Sequence, residues 1–147
     1  RLVLWVPKNK LVEQSSLQRL NTPLAIANPI LAPYGAAAMQ VLTSLSLESK
    51  TVVTGNSVNQ AFSFVATGNA KAGLVSLSQM NAAKVSPEQY WLISTELHQP
   101  IRQELVALKN ANVNHKLFLA FMQSTIARNI ISNAGYDLPS RNQWEKI

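Results

Sequence analysis

The sequence predicts an α/β domain built on a mainly parallel sheet flanked by helices, and three observations lead there. Short apolar runs, Leu24–Ala27, Lys50–Thr54 and Gly73–Ser76 among them, alternate with stretches whose apolar residues recur at helical intervals, the pattern of βαβ units. Two of those runs are followed at once by residues that open a helix, Pro29 to Gly35 in one case and Ser57 with Gln60 in the other. Finally, 147 residues with 47% hydrophobic and only 14% charged content can bury a core and are unlike a disordered chain.

Taken in order, Arg1–Val6 reads as a strand closed by Pro7 and the polar Lys8-Asn9-Lys10. Across 11–22, Leu11, Val12, Leu17 and Leu20 fall at roughly helical intervals, with Ser15 and Ser16 as caps before Leu17. A short helix or irregular turn is expected there, ended by Asn21-Thr22-Pro23. Leu24–Ala27 suits a buried strand that Pro29 and Pro33 bar from continuing. Residues 34–46 then form a helix, with Met39, Leu42 and Leu45 near one face beside Ala38 and Val41. Lys50–Thr54 is a strand rich in β-branched residues, broken by Gly55-Asn56.

Ser57 and Gln60 fit a capping box, so a second helix begins here, with Ala61, Phe64 and Val65 inward and Gly68-Asn69 supplying the left-handed residue that stops it. Gly73–Ser76 is a short buried strand, Leu77–Met80 a further helical turn, and Tyr90–Ile93 another strand. From Pro100 the character changes. Ile101–Leu108 alternates charged with apolar residues, as an extended segment covered more on one side would. Asn114 or His115 opens a helix carrying Leu117, Phe118, Phe121 and Met122; Ser124 caps the next, with Ile126, Ile130 and Ile131 inward and Asn133-Ala134-Gly135 as its stop. Trp5 and Trp91 lie in apolar strands and belong in the core, whereas Trp144 is a surface or interaction residue.

The residue inventory narrows the chemistry. With no cysteine, disulfides, thiolate metal sites and cysteine nucleophiles are excluded. His98 and His115 have no motif partner, the seven acidic residues form no close pair, and no His/Asp/Glu spacing suits a metal, so catalysis is not expected. The formal charge of +6 comes from scattered lysines and arginines rather than a stripe, which speaks against nucleic acid but suits attraction of small anions. No apolar run reaches the roughly 18 residues of a membrane span.

The most informative stretch is Ala27-Asn28-Pro29-Ile30-Leu31-Ala32-Pro33-Tyr34-Gly35, followed by Ala36-Ala37-Ala38. It reads as a strand end, a tight turn and a helix N-terminus, with Gly35 allowing close approach of the backbone to a ligand. Unpaired amides at a helix start, supported by the helix dipole, make an anion site that requires no lysine or arginine. A second such terminus follows Asn56-Ser57-Val58.

This stretch resembles the ligand loop of the molybdate-binding proteins of ABC transporters. Thr54-Gly55-Asn56-Ser57-Val58-Asn59-Gln60-Ala61 with Phe64-Val65-Ala66-Thr67-Gly68-Asn69-Ala70, and later Pro100-Ile101-Arg102-Gln103-Glu104, resemble the same family in the same order. The resemblance runs nearly end to end. It implies a periplasmic-binding-protein fold of two lobes joined by two crossing strands, of which this chain holds one lobe, the crossover strands and the C-terminal helices of the other lobe. By position, 1–7 is a crossover strand, 8–99 the second lobe, and 100–147 the return crossover strand and the C-terminal helices of an incomplete first lobe.

The resemblance further implies a periplasmic substrate-binding component for molybdate or tungstate that uses no other cofactor and works with a membrane permease. The effector-binding domain of a transcription regulator with the same two-lobe fold is the alternative. Tyr34 stands where the family donates a backbone amide to the oxyanion, its phenol a second donor, and Val58 where the family donates another amide. Ser57 adjoins Val58, and Ser76 stands at a strand end where some branches carry a tyrosine hydroxyl. An N-terminal portion, with its signal peptide and its serine or threonine ligands, is expected to be missing from the chain, so binding should be weak or absent. The helices of 112–147 would then expose an apolar stripe, and self-association or pairing with the missing segment is expected.

Overall fold

The computed structural model describes residues 1–106, 108 and 114–138. They fall into two compact units, Arg1–Ile101 and a second from Arg102 onward. The first unit runs β1 Leu2–Trp5, α1 Gln14–Arg19, β2 Leu24–Ala27, α2 Pro33–Ser44, β3 Val52–Gly55, α3 Val58–Ala66, β4 Ala72–Ser76, α4 Leu77–Ala82, a 3-10 turn Pro87–Gln89 and β5 Tyr90–Leu92.

The five strands form one sheet in the order β3-β2-β4-β1-β5. β2 is parallel to both β3 and β4, whereas β1 is antiparallel to β4 and to β5. Four strands therefore share one direction and β1 runs against them, which is the mainly parallel sheet expected with one reversed strand inside it. Strand alternation sends successive side chains to opposite faces. Leu2, Leu4, Leu24, Ile26 and Leu74 meet Leu17 of α1 and Ala38, Val41 and Leu42 of α2 in one core cluster. Val3, Trp5, Ala25 and Val75 meet Ala61 and Val65 of α3 and Met80 of α4 in the other. The unit is thus three layers, with α1 and α2 on one face and α3 and α4 on the other. Because both faces are covered, β1, β2 and β4 are buried at every residue.

Local chemistry sets the helix ends. Glu13, not Ser15, caps α1, in a reciprocal box with Ser16 three residues on. A carboxylate there also complements the helix dipole, which the serine reading overlooked. α2 starts one residue earlier than expected, at Pro33, whose missing N–H costs nothing in the first turn. α3 is capped by Ser57, whose Oγ accepts from Gln60 N, and stops where Gly68 takes a φ of 79°. Trp5 is buried and stacks on Phe62 with ring centroids 5.0 Å apart, while Trp91 is half-buried against the first cluster.

In the second unit, α5 Asn114–Met122 and α6 Thr125–Asn133 form a helical pair, with Ser124 capping α6 by accepting from Ala127 N. Leu117, Phe118, Phe121, Ile126 and Ile130 are all exposed. Over 101–106 and 108 there is no strand, although alternation suggested an extended segment and the family resemblance implied a return crossover strand. Alternation becomes a strand only when a neighbour supplies ladder hydrogen bonds, and no described strand pairs with this segment. Trp144 lies outside the described residues.

Candidate functional site

The register Ala27↔Gly55 brings the C-terminal ends of β2 and β3 level, at the ~4.8 Å spacing of neighbouring strands. α2 follows β2 and α3 follows β3 after short turns, so both helix starts rise from one edge of the sheet. β4, on the other side of β2, ends at Ser76 and passes directly into α4. The turns are held together by Asn28, whose N–H donates to Gly55 O (2.6 Å). Its Oδ1 accepts from Ile30 N (2.9 Å) and its carbonyl from Leu31 N (3.1 Å) and Ala32 N (2.9 Å). That commitment leaves Ile30 and Leu31 exposed on the rim.

At α2, Pro33 has no N–H, and the amides of Gly35 (2.9 Å) and Ala36 (3.2 Å) both donate to Ala32 O. Tyr34 is therefore the first residue of α2 to carry an N–H. Its side chain is buried within the first core cluster, so the ring anchors α2 against the sheet rather than standing at the surface. Gly35 plays a different part from the one expected. A Cβ there would lie 2.6 Å from Asn28 C and 2.7 Å from Ala27 C, and closer still to Ala27 O. Its bare Cα lets α2 sit on the end of β2; the close approach is to protein backbone, not to a ligand.

At α3, Gln60 N donates to Ser57 Oγ (3.3 Å), Ala61 N to Ser57 O (3.1 Å), and Asn56 N to Gln60 Oε1 (2.7 Å). Gln60 thus reaches back one residue further than a capping box would have it. No described residue accepts a hydrogen bond from the amides of Val58 and Asn59. These are the open donors of the first turn. The Val58 side chain packs on the cluster that contains Tyr34, so its N–H is what it has to offer a ligand. Ser57 is exposed, and after accepting from Gln60 its hydroxyl still has a proton to donate.

Ser76 is otherwise disposed. It is buried, its Oγ accepts from Gln79 N (3.3 Å), contacts Ser78 Oγ (3.0 Å) and donates to Gln79 Oε1 (2.9 Å). Its hydroxyl is spent on capping α4, which corrects the expectation of a ligand donor at that strand end. Gln79 and Asn59 were not singled out from sequence, yet they join the two helix starts: Gln79 Nε2 donates to Asn59 Oδ1 (2.9 Å) and Val58 O (3.3 Å).

Residues 27–35, 55–60 and 76–79 include no charged side chain, so an anion here would meet neutral donors only. A cavity of 670 Å³ lies at the opposite edge of the sheet, lined among others by Trp5, Lys8, Arg19 and Lys71, beyond reach of these helix starts. His98 is buried and bonded locally, its Nδ1 2.7 Å from Gln99 O, and among the described residues no cluster of three His, Asp or Glu could hold a metal.

The family model for bacterial extracellular solute-binding proteins matches residues 1–137. The molybdate-binding protein ModA of Azotobacter vinelandii is 40% identical over 94% of this chain, and that of Rhodobacter capsulatus 39% over 92%. The chain spans 58% and 56% of those relatives' lengths. The solved periplasmic molybdate-binding protein of Azotobacter vinelandii superposes with a TM-score of 0.84 at 38% identity, covering 95% of this chain and 65% of that one. A match of that extent over this three-layer fold places the chain in the family of bacterial extracellular solute-binding proteins.

Proposed function

We propose that the chain is the larger part of the substrate-binding component of an ABC transporter, and that it holds molybdate or tungstate at the starts of α2 and α3. The observation that carries this is the pair of uncharged helix N-termini raised side by side from adjacent parallel strands, with two amides of α3 open. A tetrahedral dianion presents acceptors in every direction. Backbone amides at helix starts answer it with charge-assisted bonds and aligned dipoles, without a countercharge that would hold the cargo too firmly for release. The names of the similar proteins from Azotobacter and Rhodobacter support molybdate as the anion.

In this reading Tyr34 and Val58 donate backbone amides and Ser57 its hydroxyl, while the Tyr34 ring serves packing. Residues 8–99 are one lobe, and Arg1–Val6 and the segment after Pro100 lead to the other, which α5 and α6 belong to. An anion that binds one conformation of the protein better than another shifts the population toward it, and the loaded form is what a membrane permease in the periplasmic system would recognise. The protein carries its ligand unchanged and performs no catalysis. The exposed face of Leu117, Phe118, Phe121, Ile126 and Ile130 is covered by the rest of the first lobe, or by a second copy when that is absent.

Isothermal titration of this chain, and of any longer gene product that contains it, with molybdate, tungstate, sulfate and phosphate tests the reading. Molybdate and tungstate are expected to bind the longer product and to outcompete sulfate and phosphate, and to bind this chain weakly or not at all. Binding of an amino acid or organic acid with none of the oxyanions would overturn it.

A further inference from the structure

Gln79 lies on α4, away from both helix starts in sequence, and every polar atom of its side chain is engaged. Oε1 accepts from Ser76 N (3.0 Å) and Ser76 Oγ (2.9 Å), closing the cap of α4. Nε2 donates to Val58 O (3.3 Å) and Asn59 Oδ1 (2.9 Å), on the first turn of α3. The amide is therefore a strut between the end of β4 and the one turn whose Val58 and Asn59 amides remain open.

We propose that Gln79 is a positioning residue of the oxyanion site: it fixes the first turn of α3 so that those amides converge on the ligand. The inference rests on the oxyanion reading and adds a residue that touches no ligand itself. Only a side chain that is acceptor at one end and donor at the other can do this, and the planar amide of glutamine holds the two ends in fixed relation. Losing the donor end frees α3's first turn, while losing the acceptor end uncaps α4. The orientation of Asn59 follows as well, because donation from Gln79 identifies the Asn59 atom facing it as oxygen and turns its NH2 elsewhere.

The test uses Gln79→Glu and Gln79→Met. Glutamate keeps the acceptor for Ser76 but sets an oxygen against the backbone carbonyl Val58 O, which cannot turn away as the Asn59 amide can; methionine keeps the length and removes both roles without adding charge. In the ligand-free protein, the Val58 and Asn59 amide resonances are expected to shift in both variants and to exchange with solvent about fivefold faster or more. Molybdate affinity is expected to fall about tenfold in each, with the loss in the methionine variant independent of salt.

A purely capping role would leave the glutamate variant like the parent at Val58, at Asn59 and in affinity within about twofold, and that result overturns the proposal. Should the parent bind no oxyanion, either as this chain or within a longer gene product that contains it, the oxyanion reading falls. The strut is then judged by the ligand-free resonances alone: unchanged Val58 and Asn59 signals in both variants refute it.

Discussion

The open amide of Val58 can be removed without disturbing the helix it begins. Val58 is the first residue of α3, where proline is favoured because the N–H has no intrahelical partner. The preceding Ser57 has φ −147° and ψ 166°, the extended conformation that a following proline requires. Val58→Pro therefore deletes one donor while leaving the Ser57 cap and Gln79's bond to the carbonyl of residue 58 in place. A hydrogen bond to a charged group contributes about 1.5–3 kcal/mol, which corresponds to a rise in Kd of roughly 10- to 150-fold for molybdate. The side chain packs only partly on the core, so Val58→Ala, which keeps the N–H, isolates the packing contribution. That variant is expected to lose about 1 kcal/mol of stability and to keep its affinity within about twofold. Titration calorimetry on the two variants beside the parent, with thermal unfolding to establish that both fold, decides the matter. Equal affinities for Val58→Pro and Val58→Ala would refute amide donation at this position.

Three further outcomes follow from the geometry. Gly35→Ala must move α2 by about 1 Å against backbone that cannot yield, so it should cost about 2–4 kcal/mol and lower Tm by roughly 10 °C, whereas Gly68→Ala, which meets nothing within 4 Å and bears only its φ of 79°, should cost about 1–2 kcal/mol; equal melting curves would contradict the seating of α2 on β2. Ser57→Ala removes the cap of α3 and is expected to destabilise by about 1 kcal/mol in urea unfolding, whereas Ser76→Ala, which also breaks the bonds to Gln79, should cost more. Sedimentation of this chain should show self-association at high concentration that Phe118→Lys with Phe121→Lys abolishes, and a monomeric parent would count against a covered α5–α6 face.

Much of the fold was legible along the chain because it depends on local chemistry. Ser57 and Ser124 announced their helices, since a side-chain oxygen beside the first amides satisfies donors whatever the rest of the protein does. Gly68 marked the end of α3 for the same kind of reason. The alternation of apolar runs and helical patterns established the α/β class and located every strand of the first unit to within a residue or two. The two neutral helix starts, too, were visible as prolines, a serine and the absence of charge.

What only the tertiary structure decided are the relations between segments distant in sequence. Nothing in Leu2–Trp5 says that it enters the sheet against its neighbours, between β4 and β5, because direction is set by which edge the strand meets. Gly35 looked like a residue kept small for a ligand and proved to be kept small for the carbonyl of Ala27. Ser76 looked available and is consumed by Gln79, and Gln79 itself, an unremarked polar residue on a short helix, bridges to Val58 and Asn59. A sequence displays the donors and acceptors a chain possesses; how they are paired across the fold depends on burial and register, which appear only once the layers have packed.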